Sequence, residues 1–154
     1  MEYTQASIGR VFLVAFDHED DLLNEIKKLF IQERINFGTI TFFGALADGK
    51  MVTGPRNLCL PATPQWFSFR DGREVLGFGT VVKKGTKVEP HIHFSAGRRD
   101  KTTTGCLREH ARIFITIEAV VTELTGIDVS REPQKKIGGH KILTSKKSSK
   151  KNKK

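Results

Sequence analysis

Read from the N-terminus, the apolar positions first bunch, then recur at helical spacing, then alternate. Arg10 to Phe16 (RVFLVAF) is a short, nearly unbroken apolar run of strand-forming residues, the pattern of a strand covered on both faces. Asp17 ends it and is the expected N-cap of a helix, with Glu19, Asp20 and Asp21 placing negative charge at the helix's positive end. Leu22, Leu23, Ile26, Leu29 and Phe30 then form one apolar stripe, which predicts a helix to about Ile35, with Asn36 and Gly38 as stop signals. Phe37 to Gly44 reads as a second strand. A β-α-β unit of this spacing predicts that it runs parallel to the first, with the helix across one face of the sheet.

Beyond Gly49 the rhythm becomes that of antiparallel hairpins. Lys50 to Thr63 is broken by Gly54-Pro55 and Pro61 and reads as a loop with one edge strand at most. Trp66 to Phe69 is a strand, Asp71-Gly72 a hairpin turn, and Glu74 to Val82 the returning strand. Gly77 and Gly79 share a face there, leaving room for a bulky neighbour or a close subunit contact. Lys87 to Ala96 and Thr102 to Leu107 follow as strands. Ala111 to Leu124 alternates most cleanly, with Ile113, Ile115, Ile117, Ala119 and Val121 on one face. The expected fold is α+β: a single mixed, mainly antiparallel sheet with one main helix. That helix covers only one side, and the Phe and Ile residues left on the other predict a homo-oligomer.

Charge changes the picture of the C-terminus. The 154-residue chain has a net charge of +9, which suggests a nucleic-acid partner until the chain is divided. Residues 131–154 hold ten of the 26 cations and one of the 17 acids, so they carry the whole excess and residues 1–130 are neutral. The expected organisation is a domain over 1–130 and a disordered Lys-rich tail over 131–154. Within the tail, Lys146, Lys147, Lys150, Lys151, Lys153 and Lys154 would attract nucleic-acid phosphates without regard to sequence. Two cysteines are too few for a disulfide scaffold, no signal peptide is visible, and no apolar run is long enough to span a bilayer. A soluble, cytoplasmic protein is expected.

Candidate chemistry gathers at Glu89-Pro-His-Ile-His-Phe94. On a strand His91 and His93 point the same way, so their imidazoles can converge on one divalent ion. A solvated or hydrogen-bonded pair is the plainer alternative. His18, at a helix start, suits a capping role. No Ser-His-Asp set, phosphate-cradling glycine loop or nucleotide fingerprint is present.

Taken in order, Arg10 to Phe16 with its acidic helix start, Gly38-Thr-Ile-Thr-Phe-Phe-Gly44-Ala45, Pro90-His-Ile-His93 with the Arg99-Asp100 turn, and the strand bearing Glu118 resemble the plants and prokaryotes conserved (PPC) domain. The resemblance runs from about Gly9 to Glu123. It implies a homotrimer and, in prokaryotic members, a metal, often zinc, held by the His-x-His pair and by a histidine of a Gly-Gly-His-Leu segment. His91 and His93 match the first two ligands. At the third place this chain has Thr104-Gly105-Cys106-Leu107, so Cys106 either completes a His-His-Cys site or is a small buried residue where a ligand once stood. His110, four residues on, is about 13 Å along an unbroken strand and is held in reserve. Glu89 and Glu118 are candidates for a supporting carboxylate or general base, or ordinary strand acids. The DNA-binding segment of plant members, Arg-Gly-Arg-Pro, does not occur here. Two functions follow: a metal-binding, DNA-associated or regulatory protein whose tail supplies affinity, or a metal-dependent hydrolase acting on a small molecule at the His-x-His strand.

Overall fold

The computed structural model describes residues 3–144. The strands are β1 (Ser7–Phe16), β2 (Phe37–Pro55), β3 (Pro64–Phe69), β4 (Arg73–Lys84), β5 (Lys87–Arg98), β6 (Lys101–Thr125), β7 (Val129–Gln134) and β8 (Gly139–Thr144). The one helix among the described residues is α1 (Leu22–Gln32). It is not long and apolar enough to cross a membrane.

β1 to β6 form one sheet in the order β1-β6-β5-β4-β2-β3, with a further pairing of β6 to β2. Every pairing is antiparallel. β1 and β2 do point the same way, as the β-α-β pattern predicts. They are not neighbours, however, because β6 lies between them, bonded to β1 along one edge and to β2 along the other. The mixed sheet expected from sequence is therefore antiparallel throughout.

The extra pairing has a larger consequence. β2 bonds to β4, β4 to β5, β5 to β6, and β6 back to β2, so four strands close into a ring with β1 and β3 as flanking strands. Ile40 and Phe42 of β2, Val81 of β4, Ile92 and Phe94 of β5, and Ile113 and Ile117 of β6 are buried in one core. Leu22, Leu23, Ile26 and Phe30 of α1 join that core, and the helix packs on β5 and β6. Gly77 faces inward because the Phe42 ring occupies the place its Cβ would take, 2.1 Å away. Ile92 stands similarly close to Gly79, so the two glycines make room for bulky neighbours.

Several boundaries differ from the sequence expectation for local reasons. Asp21 caps the helix instead of Asp17: its carboxylate accepts from Asn24 N–H at 2.9 Å and from Ala111 N–H of β6 at 3.0 Å. Glu19 takes a left-handed φ of 71° and donates its N–H to the Ile113 carbonyl, so residues 17–20 form a turn tied to β6. Ile115, expected on the apolar face, points outward at a register shift of β6 with φ 67°. β6 runs unbroken through residues read as two strands, and β2 continues to Pro55, through the first six residues of the expected loop. Residues 129–144, assigned mainly to a tail, pair as a hairpin closed by a turn over 135–138, where Gly138 takes the positive φ of 76° that glycine tolerates.

Candidate metal centre

The ladder register decides which side chains meet. Directly paired residues point to the same face, so Phe78, His93 and Cys106 form one outward row across β4, β5 and β6. His91 lies two residues before His93 and pairs with Thr80. The ligand atoms of His91, His93 and Cys106 all fall within 4.8 Å of one another. Sequence spacing alone aligns the two histidines; the β5–β6 pairing brings the cysteine to them.

His91 Nε2 and His93 Nε2 are 3.2 Å apart. Two nitrogens each 2.0–2.1 Å from a tetrahedral ion would be separated by about 3.3 Å. His93 is exposed, His91 half-buried and Cys106 buried. Burial, with the Arg131 guanidinium next in weight, holds the His91 pKa down at about 4, so the ring is neutral at pH 7. Burial pushes the Cys106 thiol up, partly offset by Arg108 and Arg131. Cys106 is therefore a thiol that a metal must deprotonate on binding.

Arg131 of β7 is the partner that sequence reading missed. Its Nη1 lies 3.2 Å from His91 Nδ1, and its Nη2 donates to Thr80 Oγ1 at 2.9 Å. A guanidinium has no acceptor, so Nδ1 of the neutral His91 must accept, leaving the ring proton on Nε2 to be donated to His93. An ion bound at both Nε2 atoms would require that proton to move to Nδ1 and Arg131 to turn away. The donor types and spacing thus fit a zinc-class ion, and Arg131 opposes its entry. The Gly138-Gly139 turn was the available signal that residue 131 belongs to a structured hairpin.

The other candidates lie elsewhere. His110 is half-buried, 3.6 Å from Asp48, and outside the cluster. His18 accepts from Ile115 N–H and pairs with Glu19. Glu118 is on the outward face beside Phe43 and Ala15. Glu89 pairs with Lys87 at 2.6 Å and lines the cavity that His91 also borders. The six lysines of the tail lie outside the described residues.

The outward face is apolar beside the cluster. Leu13, Val120, Phe43, Leu76 and Phe78 are exposed, and their register makes one continuous patch from β1 to β4 that reaches His93.

The family model of the Plants and Prokaryotes Conserved (PCC) domain matches residues 3–125. Among solved structures, a metal-containing protein from Archaeoglobus fulgidus is similar at 23% identity and a TM-score of 0.82, over 93% of this chain and 99% of that one. A plant- and prokaryote-conserved protein from Pyrococcus horikoshii is similar at 24% identity and 0.76, over 88% and 92%. A candidate DNA-binding protein from Bacteroides thetaiotaomicron follows at 19% identity and 0.71, over 91% and 98%. No curated protein matches the chain.

Proposed function

The chain belongs to the Plants and Prokaryotes Conserved domain family, and on that premise we propose that it binds a divalent metal ion, zinc by its donor set, through His91, His93 and Cys106. The observation that carries this reading is the convergence of the three ligand atoms within 4.8 Å. Three protein ligands leave a fourth position for water or a small ligand, and a zinc-class ion there would supply Lewis acidity. The structurally similar metal-containing protein from Archaeoglobus fulgidus supports the reading.

The test is elemental analysis of the purified full chain beside His91→Ala and Cys106→Ala. The expected result is about one metal ion per chain in the wild type and loss of at least tenfold in affinity in each variant. A wild type without metal, or metal retained in both variants, removes the site.

The same proposal includes assembly as a homotrimer in the cytoplasm, with the exposed patch of Leu13, Phe43, Leu76, Phe78 and Val120 covered by a second copy. Phe43→Asp should then shift the particle to the monomer mass in light scattering; an unchanged mass would exclude this face. A DNA-associated role is proposed for the tail, supported by the DNA-binding description of the Bacteroides relative. Three tails on one particle would multiply a weak, salt-sensitive contact. A chain ending at Thr144 should keep its metal and lose retention on DNA at low salt. Retention with an unchanged salt slope would assign DNA binding elsewhere.

A second reading, a metal-dependent hydrolase of a small molecule, is favoured by one observation: His91 borders a cavity of about 680 Å³.

A further inference from the structure

That cavity lies between the ring and the β7–β8 hairpin, with walls from α1, β5, β6 and the hairpin. Its charge is one-sided. Lys27 of α1, Arg108 of β6, Arg131 of β7 and Lys135 of the hairpin turn all line it, against one carboxylate, Glu89, which is already paired with Lys87. None of those four cations forms an ion pair among the described residues.

Arg131 is the telling member. It is half-buried, its two hydrogen bonds go to the neutral groups of Thr80 and His91, and its Nε is buried with no partner. A guanidinium stays charged at any pH a protein meets. The one carboxylate that attracts it, Glu89, is already engaged by Lys87, so its charge is only partly balanced, and an unpaired buried donor adds a further cost. A ligand that supplies the missing negative charge would remove both penalties.

We propose that this cavity binds a small anionic molecule, with its carboxylate or phosphate group held by Arg131, Arg108 and Lys135 and the rest of the molecule extending toward Lys27 and Leu23. A volume of about 680 Å³ is within the range of pockets for small organic ligands. A duplex backbone would need a run of exposed cations along a surface, whereas these four converge from three separate parts of the chain beneath a hairpin. Arg131 and Lys135 lie beyond residues 3–125, so the hairpin wall of the pocket falls outside the stretch matched by the family model, while Lys27 and Arg108 fall within it. The inference is independent of the metal reading, although a ligand here would lie alongside His91.

The test is calorimetric titration of the full chain at low ionic strength with inorganic phosphate and, separately, with succinate. One saturable site per chain is expected for at least one probe, and the probe that binds names the anion class. Arg131→Met should weaken it at least tenfold. Lys135→Gln, which removes a side chain without hydrogen bond or ion pair among the described residues, should weaken it about threefold and keeps the test open should Arg131→Met fold poorly. Arg112→Met removes the same charge outside the cavity and should change nothing. No saturable binding of either probe overturns the inference, as does equal weakening by Arg112→Met or displacement of the probe by a short DNA duplex. Metal content measured in the same samples separates the two readings: probe binding without metal sinks only the metal site, and metal without probe binding sinks only the pocket.

Discussion

Two arginine-lined hollows of similar size lie on this molecule, and they differ in where the opposite charge comes from. The hollow of about 760 Å³ near the Asp71-Gly72 turn is bordered by five arginines, of which Arg70 and Arg99 are exposed and Arg73, Arg98 and Arg112 are paired within the fold. Arg73 donates to both oxygens of Asp71 at 2.8 and 3.1 Å, Arg98 lies 3.3 Å from the same carboxylate, and Arg112 bonds Glu19 at 2.7 Å and Asp48 at 2.9 Å. Those arginines hold turns against strands: Arg112 ties residue 19 to β6 and β2, and Arg73 also lies over the rings of Phe67 and Phe69. In the hollow under the hairpin, Arg131 hydrogen-bonds only neutral groups, and the one carboxylate that attracts it, Glu89, is paired with Lys87. A cation whose counter-charge is supplied by the fold serves the fold, while one left without it in a cavity is suited to an external anion.

Giving Arg131 an internal partner should have the largest effect. Thr80→Asp places a carboxylate where the Thr80 hydroxyl now accepts from Arg131, 2.9 Å away. Phosphate or succinate affinity should fall about a hundredfold, roughly 2.7 kcal/mol, in the same calorimetric titration; unchanged affinity would mean that Arg131 does not hold the anion.

A smaller effect of opposite sign is expected at the metal. Arg131→Met removes the donor that keeps the His91 proton on Nε2, so zinc affinity should rise about tenfold, roughly 1.4 kcal/mol, in competition with a chromophoric chelator. A fall would show that Arg131 supports the ligand instead of opposing the ion.

Thermal unfolding should separate the two hollows next. Arg112→Met leaves Glu19 and Asp48 without their shared cation and should lower Tm slightly, by no more than about 4 °C. Arg131→Met should not lower it, because it removes a half-buried charge that lacks a counter-ion.

The smallest effect concerns acid. Hydrogen bonds from Arg73, and then from Arg98, hold the Asp71 carboxyl below its ordinary value of 3.8. A depressed carboxylate contributes stability above its unfolded pKa and loses it as pH falls through the folded one. Asp71→Asn should therefore flatten the decline of Tm below about pH 4 and leave the slope above pH 5 unchanged. An unaltered acid limb would mean that the Asp71 pairs contribute nothing in solution.

Much of the architecture is legible in local pattern. The helical stripe from Leu22 to Phe30, the Asp71-Gly72 turn and the inward glycines of β4 each follow from residue type and spacing, as does the strand at residues 10–16, although it is not covered on both faces as its apolar run suggests, since Val11, Leu13 and Ala15 are exposed. Strand pairing is less accessible, because a ladder joins residues far apart in sequence. The antiparallel insertion of β6 between β1 and β2, and the closure of β6 onto β2, have no local signature. The hairpin over 129–144 had only a partial one, the Gly138-Gly139 pair, which the lysine content of the same stretch obscured.

The candidate site divides along the same line. The sequence by itself determined that His91 and His93 share a face, since side chains on a strand alternate with period two and no distant contact is needed. It also determined that the excess positive charge belongs to the last 24 residues. That Cys106, and not His110, stands beside the histidines follows from the register of β5 on β6, a pairing with no local signature in the chain. The fold alone placed Arg131 against His91 without a carboxylate, because that contact spans 40 residues and depends on how a hairpin settles on a closed ring of strands.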